Sequence, residues 1–436
     1  MINQLINRFK DGDSGEILTK GFSFLLIRVG GTLTAFLFSR YITKNFGADV
    51  YGLIAVGFSI FLVIGVLGRL GLDTNIVKFF SLTEEKEDSG LFYQSITKVF
   101  LTSSVLSGLI YWQSEFLVKE VFKEPKPELI PYLNWILPAI PFWSVTVVSA
   151  SLLRSKQMNN WFGFFNNSSR FTLALGLLLV LSLYSDESII IVKAHFFAIV
   201  LACIWSCSLA FPSLKTRRFR SQKDSWQFTK ESLPMMMSAS VFVLLAWTGT
   251  FVMGIYRDSE EVGIYNVAVK VATLLNFCLQ AVNSILAPKI ANKFAKGERS
   301  AFQEMITFST KLNFISSLII GVIVIVFNQQ ILGFFGEEFK SARYLVFVLC
   351  VGQIINSFSG SVGVVLQMTG KQVVYQYFML SALAINLILM FTLTPAYGAY
   401  GAAIASIASM IFWNVGGAIY LKKHMNVVSF FVPFKR

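Results

Sequence analysis

Twelve long apolar runs constrain the fold of this chain more than any other feature of its sequence. An α-helix rises about 1.5 Å per residue, so roughly 20 apolar residues cross a hydrocarbon core about 30 Å thick. Each run exceeds that length, and uniform apolar runs of this kind are typical of membrane-spanning helices. The twelve predicted spans are residues 20–43, 49–71, 90–112, 131–153, 160–184, 188–211, 233–256, 262–290, 304–327, 343–367, 372–394 and 398–421. The sequence therefore predicts an all-α integral membrane protein.

Composition excludes a set of soluble domains of the same total length. Hydrophobic residues make up 55% of the 436 residues and charged residues only 14%, a balance that indicates a polytopic membrane protein. The first 19 residues carry Asp11, Asp13 and Glu16 and lack an apolar run, so we expect no cleaved signal peptide. The cysteines fall in apolar runs and the two histidines are isolated. No metal site is therefore expected, and no cofactor.

The distribution of basic residues predicts the orientation of the chain. Lys and Arg are about three times as frequent in connections on one side of the twelve spans as on the other, and the richer side is expected to be cytoplasmic. Both termini then lie in the cytoplasm. The predicted domains are a cytoplasmic N-terminus (1–19), an N-terminal lobe (20–211), a basic cytoplasmic linker (212–232), a C-terminal lobe (233–421) and a cytoplasmic tail (422–436).

Weak internal similarity indicates that the two lobes arose by duplication. Three short matches recur at nearly constant offsets. The matched pairs are Tyr51-Gly52 with Val262-Gly263, Tyr132-Leu133 with Tyr344-Leu345, and Lys156-Gln157 with Lys371-Gln372. Six spans per lobe is an even number, so both lobes share one membrane orientation, and we expect a pseudo-twofold axis along the membrane normal.

A stripe of polar residues runs along the eighth predicted span, from Gly263 to Lys289. Successive members are three or four residues apart, which places them on one face of a single helix. The members are Asn266, Lys270, Thr273, Asn276, Gln280 and Asn283. A second stripe on the tenth span contains Gln353 and Asn356. These stripes predict either a polar cavity through the membrane or a set of hydrogen bonds between packed helices.

The charged residues inside the predicted spans all carry the same sign. The basic residues are Arg28, Lys98, Arg170, Lys270 and Lys311, whereas acidic residues cluster in the connections. Basic residues without acidic neighbours favour a cationic cavity that accepts an anionic substrate. For Lys98 and Lys311, the alternative is that the long side chain reaches the cytoplasmic surface.

Four segments resemble polysaccharide flippases of the Wzx type in the multidrug/oligosaccharidyl-lipid/polysaccharide (MOP) exporter superfamily. They are residues 28–80 (RVGGTLTAF…), 262–297 (VGIYNVAVKVATLLNF…), 366–372 (LQMTGKQ) and 395–405 (PAYGAYGAAIA). The resemblance implies a MATE-like V-shaped pair of six-helix lobes. It also implies that the chain moves undecaprenyl-pyrophosphate-linked oligosaccharide, such as an O-antigen repeat unit in lipopolysaccharide biosynthesis, from the cytoplasmic to the periplasmic leaflet of the bacterial inner membrane.

The predicted substrate site follows from the stripes and the resemblance together. We expect Arg28, Arg170 and Lys270 to hold the pyrophosphate, with Lys98 and Lys311 as additional cavity cations. The sugar-facing residues are expected to be Asn266, Thr273, Asn276, Gln280, Asn283, Gln353 and Asn356. The expected partners are the lipid-linked oligosaccharide and membrane lipid, with a polysaccharide polymerase and a chain-length regulator as candidates and no nucleic acid.

Two other functions are alternatives to this prediction, in which the chain is not an enzyme. A multidrug or ion antiporter is disfavoured because the spans lack a carboxylate that could bind the coupling ion. A membrane polymerase or ligase of the same pathway is disfavoured because its active site would need a large periplasmic loop. The longest outer connections, residues 113–130 and 328–342, are short.

Overall fold

The computed structural model describes residues 13–82, 88–214 and 218–432. The chain is helical through most of these ranges, and they contain no β-strand. Parts of four predicted segments lie outside the described residues: residues 1–12 of the N-terminus, 83–87 of the N-terminal lobe, 215–217 of the basic linker and 433–436 of the tail.

The chain forms two compact units. Unit 1 comprises the described residues of Met1–Ile42, Ile60–Glu120 and Lys126–Val243, and unit 2 those of Thr43–Ser59, Val121–Pro125 and Leu244–Arg436. The units and the predicted lobes differ at residues 43–59 and 121–125, which belong to unit 2, and at residues 233–243, which belong to unit 1. The predicted domain boundaries stay a prediction. Two long helices contribute to both units: α1 (Asp13–Gly68) and α10 (Ser225–Tyr256).

The other α-helices lie within one unit each. Unit 1 contains α2 (Leu72–Leu82), α3 (Ser89–Trp112), α4 (Ser114–Phe116), α5 (Leu129–Ile136), α6 (Ala139–Ser155), α7 (Asn159–Gly163), a π-helical turn (Phe164–Ser168), α8 (Ser169–Leu181) and α9 (Ile190–Ala210). Unit 2 contains α11 (Ser259–Ala272), a 3₁₀ turn (Thr273–Asn276), α12 (Phe277–Ala295), α13 (Arg299–Val326), α14 (Asn328–Gly333), α15 (Arg343–Ser359), α16 (Val362–Met368) and α17 (Gln372–Met425).

Each of the twelve predicted spans overlaps a helical stretch of the described residues. Two pairs of spans are joined end to end: α1 is interrupted at Gly47 (φ 80°) and α17 at Gly398 (φ 54°). Among the described residues, eight helices are long and apolar enough to cross a membrane, and these two are included. The spans outside that group are α3 and the α11–α12 segment. Both carry lysine and several polar side chains, which lower their hydropathy.

The core of unit 1 is built from α2, α3, α6 and the start of α10. Leu72, Ile76 and Phe80 are fully or almost fully buried at intervals of four residues along one face of α2. The Phe80 ring contacts Phe92 of α3 edge to face at 6.4 Å between centroids. This arrangement is favourable for aromatic pairs. Short α2, which is not one of the twelve spans, is therefore fixed by packing on both sides.

Asp88 fixes the basic linker to unit 1. Its carboxylate caps α3 by accepting from Leu91 N at 3.1 Å, and it also accepts from Ser221 Oγ and Gln222 N at 2.8 Å each and from Lys223 N at 3.0 Å. Burial raises the pKa of the Asp88 carboxyl, but these hydrogen bonds outweigh that effect and lower the pKa below its usual value. The described part of the linker is thus docked on the protein.

In unit 2, α1 crosses α11 at a contact between two small-xxx-small motifs. A Cβ added to Gly52 would overlap the Ser259 carbonyl, and one added to Gly263 would overlap the Ala48 carbonyl. Gly52 and Gly263 are the residues matched in the internal repeat, and each lies against the other's helix. Reciprocal contacts of this kind are what a twofold axis produces, and small residues permit such close approach of two backbones.

The interruption of α17 at Gly398 is stabilised by Arg257, just before α11, and by Glu261 in the first turn of α11. Arg257 donates from Nη2 to Pro395 O at 3.0 Å, and Glu261 Oε1 accepts from Ala399 N at 2.8 Å. A helix break leaves carbonyl and N–H groups without intrahelical partners. The two side chains supply those partners.

Candidate functional site

The polar stripe of the eighth predicted span lies in unit 2 and is not a single α-helix. It begins on α11, passes through the 3₁₀ turn Thr273–Asn276 and continues on α12. A 3₁₀ turn rotates about 120° per residue and an α-helix about 100°, so four such residues shift the later part of the stripe by about 80°. The prediction of one continuous face is therefore wrong, because the tighter turn separates Asn266 and Lys270 from Gln280 and Asn283.

Lys270 is the charged residue of this stripe within α11. It is half-buried in the last turn of the helix, and its ammonium lies 5.7 Å from the centroid of the Tyr51 ring on α1. A cation over an aromatic face is attracted by the ring's quadrupole. One turn earlier, Asn266 Oδ1 accepts from Thr250 Oγ1 at 2.8 Å. Thr273 is exposed and donates to Lys270 O at 2.7 Å.

The amides of the two stripes bond to one another. Asn276 Nδ2 donates to Gln353 Oε1 at 2.8 Å, and Asn356 Nδ2 donates to Asn276 Oδ1 at 3.4 Å. Asn414 of α17 extends this amide chain, because its Nδ2 donates to Asn356 Oδ1 at 2.8 Å. The chain connects the 3₁₀ turn with α15 and α17. These contacts correspond to the interhelical alternative considered above, at about 0.6 kcal/mol per bond.

The part of the stripe on α12 also makes a hydrogen bond to another segment. Asn283 Oδ1 accepts from Ser361 Oγ, which lies between α15 and α16. Gln280 is exposed. The sugar-facing role of the seven polar residues stays a prediction, and Gln280 and Thr273 are its most accessible members.

Arg28 lies half-buried on α1 in unit 1, on a helical turn that packs against the π-helical turn Phe164–Ser168. Ser168 Oγ donates to Ile27 O at 2.8 Å, and a Cβ added to Gly31 would overlap the Ser168 side chain. The backbone on both sides of Arg28 is therefore held in place. Single π-helical turns are rare and occur often at functional sites.

Arg170 lies in the interior of unit 1, with 5% of its surface exposed. Its Nε donates to His195 Nε2 at 2.8 Å, and the guanidinium lies 4.7 Å from the centroid of Phe61 and 4.8 Å from that of Phe171. A phosphate could reach Arg170 only if these side chains moved. Its predicted contact with the pyrophosphate stays a prediction, and its surroundings favour a structural role.

Lys98 and Lys311 are the two additional cations predicted for the cavity. Lys98 Nζ donates to Ser225 O at 2.6 Å, Ser225 Oγ at 3.1 Å and Thr229 Oγ1 at 3.2 Å, and it lies 4.1 Å from the centroid of the Trp226 ring. It therefore ties α3 to the beginning of α10. Lys311 is half-buried on α13.

Sequence reasoning missed several residues that complete these clusters. His195 and Asn414 are both buried within apolar helices, and a polar residue inside a span is by itself a signal of a specific contact. Tyr51 and Thr250 give no such signal, because a hydroxyl on an otherwise apolar helix is common. Their roles depend on which helices pack together.

The sequence matches two known families. It matches the family described as "Polysaccharide biosynthesis protein" over residues 17–294 and the family described as "MatE" over residues 234–392. It is 26% identical over 253 residues to the "Probable low-salt glycan biosynthesis flippase Agl15" of Haloferax volcanii. That match covers 58% of this chain and 52% of the relative, so the chain aligns with half of the relative's length.

The fold is similar to those of solved transporters. The structure of "Lipid II flippase MurJ, inward closed conformation" has a TM-score of 0.77 at 17% identity, covering 93% of this chain and 88% of that one. An inward-facing multidrug resistance MATE transporter of the MOP superfamily has a TM-score of 0.71 at 14% identity, covering 92% and 98%. The chain therefore belongs to the polysaccharide biosynthesis protein family and shares the fold of these transporters.

Proposed function

We propose that this protein is a flippase that moves a lipid-linked oligosaccharide across a membrane. The proposed substrate is an undecaprenyl-pyrophosphate-linked repeat unit, such as an O-antigen unit, carried from the cytoplasmic to the periplasmic leaflet of a bacterial inner membrane by alternating access through a cationic cavity. The family match and the relatives named as flippases support the class of substrate. A polysaccharide polymerase and a chain-length regulator remain candidate partners.

The sign of the charge on the polar stripe carries this proposal. Between Gly263 and Lys289 the sequence contains no Asp or Glu, and Lys270 is the charged residue within this segment. Lys270 is half-buried, where a positive charge interacts more strongly with an anion than it does in bulk water. A pyrophosphate is the anionic part of the proposed substrate. Varied sugars need only hydrogen-bonding groups, which exposed Thr273 and Gln280 offer.

The three proposed phosphate ligands are not equally accessible. Lys270 and Arg28 are half-buried on α11 and α1, whereas Arg170 is enclosed by His195 and two phenylalanine rings. We therefore assign direct phosphate contact to Lys270 and Arg28. Arg170 would support the packing of α8 against α1 and α9.

A multidrug antiporter is the second candidate, because the MatE family matches residues 234–392. An exporter of cationic drugs coupled to protons or sodium needs a carboxylate within its spans, and the stripe has none. The membrane polymerase or ligase is disfavoured further, since the relatives are named as flippases and transporters. The chain is thus assigned to transport rather than catalysis.

The test compares three variants in a strain that lacks the native protein. Lys270→Gln should abolish surface polysaccharide and cause lipid-linked oligosaccharide to accumulate, while Lys270→Arg should keep most activity because the charge remains. Lys371→Gln removes an exposed lysine outside the stripe and should behave like the wild type. Mass analysis of the lipid-linked intermediates and membrane abundance of each variant are the measurements. Full activity of Lys270→Gln at normal abundance would exclude the assigned role.

A further inference from the structure

Residues 426–432, the described residues that follow α17, fold back onto the rest of unit 2. This segment is called the docked tail below. Asn426 adopts a left-handed conformation (φ 55°) at the end of the helix, and Val427 N donates to Leu421 O at 3.1 Å. Gln303 of α13 then pairs with Val428 in both directions, as its Nε2 donates to Val428 O at 2.8 Å and its Oε1 accepts from Val428 N at 2.9 Å. The Gln303 side chain thereby bonds the backbone of the docked tail to α13.

Two further contacts complete the docking of the tail. Thr310 Oγ1 donates to Ser429 O at 2.8 Å, and Phe431 N donates to Phe358 O on α15 at 2.9 Å. The Phe431 ring lies 4.5 Å from the centroid of Phe314. A Cβ added to Gly360 would overlap Thr310 Oγ1, so this glycine gives the tail its room.

The docked tail forms one wall of a cavity of about 680 Å³ against α15 and α17. Most of its lining is apolar. Phe358, Val415, Ile419 and Phe430 provide apolar surface, and Lys422 and Lys423 lie in the last turn of α17. The Lys422 ammonium is 5.6 Å from the centroid of the Phe430 ring, so the charged end and the apolar wall are in direct contact.

We propose that this cavity binds an anionic membrane phospholipid. Its volume is in the range of small-molecule sites, and Val415 and Ile419 are each more than two-fifths exposed on a membrane helix, so lipid is the ligand that reaches them. The two lysines match a phosphate headgroup in sign, and they lie just beyond the predicted end of the twelfth span, where a headgroup is expected. An acyl chain fits the apolar wall. A free phosphate or a sugar would leave that wall uncovered. The site is separate from the polar stripe, and the proposal does not depend on transport activity.

The test is lipid retention by the purified full-length protein in a neutral detergent, measured by native mass spectrometry. The probes are phosphatidylglycerol and phosphatidylcholine with the same acyl chains. We expect the wild type to retain phosphatidylglycerol about tenfold better, and K422Q/K423Q to lose this preference, since each lysine near a membrane surface contributes appreciably to anionic lipid binding. The matched control K296Q/K371Q removes the same charge from exposed positions outside the cavity and should keep the preference.

A second variant tests the cavity itself. Ile419→Trp keeps both lysines but fills the space beside them, and it should lower phosphatidylglycerol retention about as strongly as K422Q/K423Q. Equal losses in K422Q/K423Q and K296Q/K371Q would show binding by general surface charge and overturn the proposal. Unchanged retention by Ile419→Trp would place the lipid elsewhere and overturn it as well. Displacement of phosphatidylglycerol by inorganic phosphate, or preferential retention of undecaprenyl phosphate, would identify a different occupant and overturn the proposal.

Discussion

Two lysines in predicted spans show how much the surroundings of a single residue decide. Lys98 uses three hydrogen bonds and a tryptophan ring to join α3 to α10. The Lys270 ammonium lies near the Tyr51 ring of α1, and its own helix, α11, carries both polar and apolar residues. Both would cost about 2.5 to 3.5 kcal/mol to insert alone. Lys98 offsets that cost with these hydrogen bonds, and Lys270 is the lysine to which we assign the anionic ligand.

Asp88 is the residue whose loss should most weaken the linker. Asp88→Ala removes a carboxylate that accepts four hydrogen bonds from buried and partly buried donors, so we expect the free energy of unfolding to fall by about 2 to 3 kcal/mol. Thermal unfolding of the purified protein in detergent measures this. Asp186→Ala, which removes an exposed carboxylate, should leave the midpoint almost unchanged. A similar loss in both variants would contradict the role of Asp88.

The same carboxylate predicts a dependence of stability on pH. Because its pKa is lowered in the folded protein, its contribution is complete above the unfolded-state pKa of about 4 and is lost as the pH falls through the lower folded-state value. The difference in midpoint between wild type and Asp88→Ala should therefore shrink below about pH 4. A difference that stays constant down to pH 2 would mean that the charge is not involved.

At the scale of helices, the crossing of α1 and α11 depends on glycine. Gly263→Ala should destabilise the protein strongly, because its Cβ would overlap the Ala48 carbonyl on another helix. Gly176→Ala on α8 is the matched control, since an added Cβ there meets nothing within 4 Å. The control should be neutral or stabilising by up to about 1 kcal/mol, as alanine is the better helix former. The thermal midpoint should fall in Gly263→Ala and stay the same or rise in Gly176→Ala. Equal changes in the midpoint of the two variants would contradict the close contact.

The 3₁₀ turn Thr273–Asn276 is the element that sequence periodicity could not reveal. Spacings of three and four residues are compatible with both helix types, so the stripe predicted one face where the structure has two. Asn276, in the last position of the turn, joins Gln353 and Asn356. Those partners are more than 75 residues away in the sequence.

At the scale of the whole molecule, the bias in basic residues predicts which connections face the cytoplasm. Lys371→Cys should react with a membrane-impermeant maleimide only after the membrane is opened, and Ser341→Cys should react in intact cells. Both positions are exposed. The four native cysteines lie in predicted spans and should give a low background. Labelling of Lys371→Cys in intact cells would reverse the predicted orientation.

The sequence by itself determined the fold class, the number of spans and the sign of the charges within them. These follow from local properties: apolar length sets a span, and charge is a property of each side chain. Even the interruption at Gly398 coincides with the predicted start of the twelfth span. Tertiary structure alone decided which polar residues are already engaged. Arg170 donates to His195, Asn414 donates to Asn356, and Gln303 donates to the backbone of the docked tail. These contacts form because separate segments of the chain pack side by side and their buried polar groups need hydrogen-bond partners.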